Sequence, residues 1–317
     1  MRRFSLSPTA YRCITLAAAI LLAIIIVTGA AVRLTKSGLG CPVGVSCPAS
    51  QLQAHGPSSE HATIEHVNRL FTGLVSVAVI VAVLGSLIRV PRRRDLVWLS
   101  WGLVGGVLAQ IILGQFTVAF DLTPPFVMAH FLVSIALLSD AIVLVHRAGI
   151  PDDVMSTPAT PAVSHRVVTL GRALVALAAV VLVSGTVVTG TGPHSGGGKH
   201  DNVARIDLPF VDVVRAHSGL VWMFLATVIA TVLVAHRDRA PRAVMQRLSV
   251  LLVVLVAQGV IGYVQYFNDI PALLVGFHVA GAAAVWSATL WTYLGLFERH
   301  AVTPSGAGAV PPVLAAT

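Results

Sequence analysis

Long apolar stretches alternate with short polar breaks along this chain, spaced so that each stretch can cross a bilayer. Eight spans of about 20 residues or more can be drawn, with limits 12–34, 64–89, 96–119, 126–147, 168–190, 210–235, 248–267 and 273–295. The pattern predicts an all-α integral membrane protein of eight transmembrane helices. The connections holding Arg2-Arg3, Arg89 through Arg94, Arg147 with Arg166, and Arg237 through Arg247 all fall on one side. Arg33, Lys36, Lys199 and Arg205 fall on the other. By the positive-inside rule the Arg-rich connections and both termini are cytoplasmic, in a multi-pass protein of the cell membrane.

One stretch occurs twice. Residues 109–130 (AQIILGQFTVAFDLTPPFVMAH) align without a gap on 257–278 (AQGVIGYVQYFNDIPALLVGFH). Ala109-Gln110, Gly114, Asp121 and His130 fall on Ala257-Gln258, Gly262, Asp269 and His278. VTGAAVR at 27–33 likewise echoes VSGTVVT at 183–189, which argues that the first span is retained rather than cleaved as a signal peptide. The expected architecture is two tandem four-helix bundles related by an internal repeat. An N-terminal half covers 1–148 and a cytoplasmic linker 149–167, followed by a C-terminal half at 168–300 and a disordered tail at 301–317.

Composition agrees with the spans. The chain is 56% hydrophobic and 11% charged, where a soluble domain would carry roughly a quarter charged residues. The formal net charge of +8 sits in the connections, so it reports topology and a lipid partner, with no nucleic acid. The run TGTGPHSGGGKHDN lacks the GK[ST] ending of a phosphate loop. Three cysteines exclude a disulfide-dense scaffold or a cysteine-ligated cluster. Cys41 and Cys47 share an outer loop, an oxidising setting where a disulfide is expected, with a stapling or a redox role. Cys13 reads as an apolar residue of the first span.

Ionisable groups inside spans are costly and mark function. His130, His217 and His278 lie at one depth near the outer ends of spans four, six and eight. Aligning the halves sets Asn68 opposite His217, with Glu65 one turn earlier. Two histidines on facing membrane helices suit haem iron, whereas the plainer reading has each one bonding across helices. A zinc site would want a tighter cluster. His61, Glu65 and Asn68 share a helical face, and His66 points nearly opposite to Asn68. His146, His165, His236 and His300 read as solvated, and His55, His194 and His200 as outer-loop residues.

Together these residues resemble the haem A synthase family. The carriers are GxxVRLTxSGLGCP at 29–42, Glu65-x-x-x-Arg69, GQFTV before Asp121, and the repeat with His130, His217 and His278. The resemblance implies an enzyme, a membrane oxidoreductase that converts haem O to haem A for cytochrome oxidase. It implies haem b as cofactor on His217 and His278, and substrate haem O in the N-terminal half with His130 on its iron. Glu65 is the catalytic residue it points to, and haem O synthase (the protohaem farnesyltransferase) is an implied partner; homo-oligomer formation stays open. Family members commonly place a second histidine where this chain has Asn68. The second axial position is therefore left to Asn68, His61, His66 or an open face, with His130 the one firm ligand. A dihaem b-type electron-transfer protein and a non-enzymatic haem carrier are the rival readings, and neither accounts for Glu65.

Overall fold

The computed structural model describes residues 5–37, 57–196 and 204–299. Eight helices carry the fold: α1 (Pro8–Leu34), α2 (Pro57–Ile88), α3 (Arg94–Ala119), α4 (Pro124–Ala148), α5 (His165–Thr191), α6 (Phe210–Arg237), α7 (Arg242–Phe267) and α8 (Ala272–Leu294). All eight are long and apolar enough to cross a membrane. The protein is thus an all-α, eight-span membrane protein, as the apolar pattern predicts. At 1.5 Å per residue the helices run roughly 35–48 Å, longer than the ~30 Å hydrocarbon layer.

Several helices begin earlier than the apolar pattern suggests, because caps rather than hydropathy set their ends. Ser7 accepts from the Ala10 N–H at 3.2 Å and is followed by Pro8. Ser164 accepts from the Val167 N–H at 3.4 Å, so His165 and Arg166 form the first turn of α5 rather than linker. Pro241 precedes α7, which brings Arg242 and Arg247 inside the helix.

The repeat is conformational as well as sequential. Asp121 and Leu122 have φ of 49° and 55°, and their counterparts Asp269 and Ile270 have 58° and 56°. Left-handed backbone is unusual for such residues, and the same hydrogen bond secures it in each copy. Leu122 N donates to Thr117 O at 2.8 Å, and Ile270 N to Gln265 O at 2.8 Å. Each turn closes a helix and releases the chain into the next one, which carries the histidine.

Packing repeats too. Pairs α1–α2, α2–α3, α3–α4 and α1–α4 of the first half recur as α5–α6, α6–α7, α7–α8 and α5–α8 of the second. Between the halves α1 meets α8 as α5 meets α4, and α4 meets α8, an approximate two-fold relation with α4 and α8 at its centre. There the Trp286 Nε1–H donates to Ser139 Oγ at 2.8 Å.

At the Arg-rich end, Arg89 is 1% exposed and bonds both carboxylate oxygens of Asp152 at 2.7 and 2.9 Å. Arg93 donates to the Ile150 carbonyl at 3.0 Å. The linker's β1 (Thr160–Pro161) pairs antiparallel with β2 (Phe297–Glu298), just past α8. The linker is therefore fastened at both ends. The segment from residue 301, like Cys41, Cys47, His55, His200 and His300, lies outside the described residues.

Candidate functional site

A continuous cavity of about 1770 Å³ occupies the half of the bundle away from the Arg-rich connections. Single-ligand pockets run to about 1,000 Å³, so this one has room for more than one large ligand. Both halves line it, and their lining residues correspond.

His130 and His278 face it from α4 and α8. Beside each ring stands the repeat's glycine, where a Cβ would lie 3.8 Å from His130 Cε1 at Gly114 and 3.0 Å from His278 Cε1 at Gly262. Gln110 Nε2 donates to the His130 carbonyl at 3.0 Å, and Gln258 Nε2 to the His278 carbonyl at 2.7 Å. The Nδ1 atoms of both rings are buried without a hydrogen-bond partner.

His217 and Asn68 face the cavity from α6 and α2. Ser184, on α5, donates from Oγ to the Val181 carbonyl at 2.9 Å and meets His217 Nδ1 at 2.8 Å. In the tautomer that protonates Nδ1, Ser184 accepts from Nδ1–H and the Nε2 lone pair is left free for a ligand. A Cβ at Gly185 would sit 3.2 Å from His217 Cε1, so the ring lies flush against α5.

Around this shared frame the halves differ in charge. In α2, Glu65 is 6% exposed and accepts from Arg69 Nη2 at 2.6 Å, an i,i+4 ion pair. Both residues still line the cavity, as does Arg33 of α1, whose Nε is buried and unpaired. The corresponding positions of the second half are Val214, Ser218 and Thr189, which also line the cavity but carry no charge.

Other sequence candidates sit elsewhere. His61 Nδ1 pairs with Ser37 Oγ at 2.9 Å, and neither His61 nor His66 lines the cavity. His146 is half-buried rather than solvated, whereas His165 and His236 are exposed. His194, assigned to an outer loop, folds back onto the cavity wall, and its Nε2–H donates to the Ile270 carbonyl at 2.9 Å. Only its place in a glycine-rich segment hinted at that turn inward. Among the described residues no group of three or more His, Cys, Asp or Glu is placed to hold a metal ion directly.

The fold and site define a membrane protein whose two equivalent halves each present imidazole to one apolar chamber. A family model described as cytochrome oxidase assembly protein, COX15-CtaA, matches residues 12–193. That is more than half of the chain, and the protein belongs to this family, the haem A synthase family of cytochrome oxidase assembly. The match takes in α1–α5 with Glu65, Asn68 and His130. His217 and His278 lie beyond it and are tied to the first half by the internal repeat. A search of curated proteins found no match.

Proposed function

We propose that the protein is a haem A synthase of the cell membrane, oxidising a methyl group of haem O to the formyl group of haem A. The observation that carries this reading is the charge difference between two otherwise equivalent halves. The C-terminal half offers His217 and His278, with uncharged Val214, Ser218 and Thr189 where the first half has charges and its lining arginine, Arg215, largely exposed and paired with Asp212, an arrangement for holding. The N-terminal half adds the Glu65–Arg69 pair and Arg33 to the same frame, an arrangement for chemistry.

The residues fit haem b in the second half: a neutral imidazole oriented by Ser184, a facing buried imidazole, and glycines that let both rings lie against their neighbours. When bound, haem b supplies a redox centre, and the protein sets its ligands and surroundings. In the first half His130 holds the substrate's iron. Glu65, buried and balanced by Arg69, is placed to pass a proton from one hydroxyl of the gem-diol to the other as water leaves, with no net proton gained or lost. Arg33 offers its guanidinium to a carboxylate of the substrate. With the Arg-rich connections cytoplasmic, the chamber lies toward the outer face, where haem O synthase delivers substrate through the bilayer.

The test is haem identity. Membranes expressing the protein with and without a haem O synthase are extracted and their haems separated by chromatography. Haem A appearing only when both proteins are present is the expected result. Haem b alone under every condition would replace this reading with that of a dihaem cytochrome.

A further inference from the structure

Asn68 and His217 hold the same place in the two halves. Each lies one helix away from a hydroxyl residue that bonds it: Thr28 Oγ1 donates to Asn68 Oδ1 at 3.0 Å, and Ser184 Oγ meets His217 Nδ1 at 2.8 Å. Thr28 and Ser184 are repeat equivalents, as are the glycines that follow them. A Cβ at Gly185 would lie 3.2 Å from His217 Cε1, whereas at Gly29 the nearest atom is Asn68 Oδ1 at 4.0 Å.

The difference follows from the shape of the side chains. Laid over an imidazole, an asparagine amide supplies atoms for Cγ, Nδ1 and Cδ2 and nothing for Cε1 or Nε2. The atom that binds iron at position 217 has no counterpart at position 68. An amide oxygen is also a poorer match for haem iron than imidazole nitrogen. Neighbouring groups do not make up the loss. Glu65 is paired with Arg69, Thr72 Oγ1 donates to the Asn68 carbonyl at 3.0 Å, and Gln110 Nε2 bonds the His130 carbonyl. His61 and His66 are not on the cavity wall.

We propose that a haem in the N-terminal half is bound through iron by His130 alone. Its opposite face, beside Asn68 and Thr28, stays open to a small exogenous ligand. A haem in the C-terminal half is closed on both faces by His217 and His278. The inference rests on the reading of both halves as haem sites. The ligand class is a small neutral molecule such as a diatomic gas, which the Asn68 amide can meet with a hydrogen bond.

Carbon monoxide is the probe. The full-length protein, purified in detergent after co-expression with haem O synthase, is assayed for haem per chain. It is then titrated with carbon monoxide when reduced and examined by electron paramagnetic resonance when oxidised. The expected result is one high-spin and one low-spin haem, with about one carbon monoxide bound per two haems. His130→Ala should remove the reactive haem. Asn68→His should convert it to low spin and lower carbon monoxide binding at least about tenfold, and His217→Asn should open the second haem and raise the stoichiometry. Two low-spin haems that ignore carbon monoxide would overturn the inference. So would an Asn68→His protein that binds the gas unchanged, or, where that variant does not fold, a His217→Asn protein that gains no binding. One haem per chain after loading would overturn instead the two-site reading beneath it, and stoichiometry separates that outcome from a change of spin state.

Discussion

Gln258 reaches from α7 to the backbone of His278 in α8, its Nε2 donating to the carbonyl at 2.7 Å. The bond fixes the rotation of α8 at the level of the imidazole, and Gln110 does the same for His130 at 3.0 Å. In the second half the fit is tight, since a Cβ at Gly281 would overlap the Gln258 amide. Gly281→Ala should therefore expel Gln258, lower stability by about 1–3 kcal/mol and weaken haem retention roughly 10–100-fold. The haem-to-protein ratio after detergent washing and a thermal melt give the two readouts.

Ser184→Ala removes the group that fixes the His217 tautomer. Haem should dissociate from the C-terminal half roughly 10–100-fold more readily, and Ser184→Thr should restore retention. Competition with apomyoglobin measures the loss.

Glu65→Gln keeps the shape of the side chain and removes its charge. Haem A formation should fall about 10²–10⁴-fold, with haem b content unchanged. Chromatography of extracted haems reports both quantities from one sample. Equal loss of haem b would move Glu65 from chemistry to folding.

Asp152→Asn leaves the Arg89 guanidinium 1% exposed and without its carboxylate. Breaking such a pair typically costs about 3–5 kcal/mol. Asp152 is itself 22% exposed, which places the expected loss near the lower figure of about 3 kcal/mol. The melting temperature should drop while haem spectra stay unchanged, because the pair lies at the end of the bundle away from the cavity.

The eight spans, the repeat and the cavity histidines were legible because each leaves a one-dimensional mark: apolar length, identity at a fixed offset, a titratable residue within a span. Asn68 stood out for the same reason, through its register with His217. Thr28 and Ser184 did not, since a hydroxyl in an apolar helix ordinarily bonds its own backbone and gives no sign of a partner across the bundle. His194 was missed because its position depends on Ile270, 76 residues further on. The early starts of α5 and α7 were missed because their opening two turns carry Arg166, Arg242 and Arg247, which lower local hydropathy although Ser164 and Pro241 favour helix there.

The clasp between Thr160–Pro161 and Phe297–Glu298 gives the exposed stretch at Pro158 and Ala159 an unexpected freedom. Beside the strands, Ala162 N donates to the Leu296 carbonyl at 2.8 Å, and Arg299 donates to the Met155 and Thr157 carbonyls. The segment just past α8 thus grips residues on both sides of that stretch. A gene cut there into two open reading frames should yield fragments that find each other in the bilayer, joined at the chamber and buckled again at the Arg-rich end.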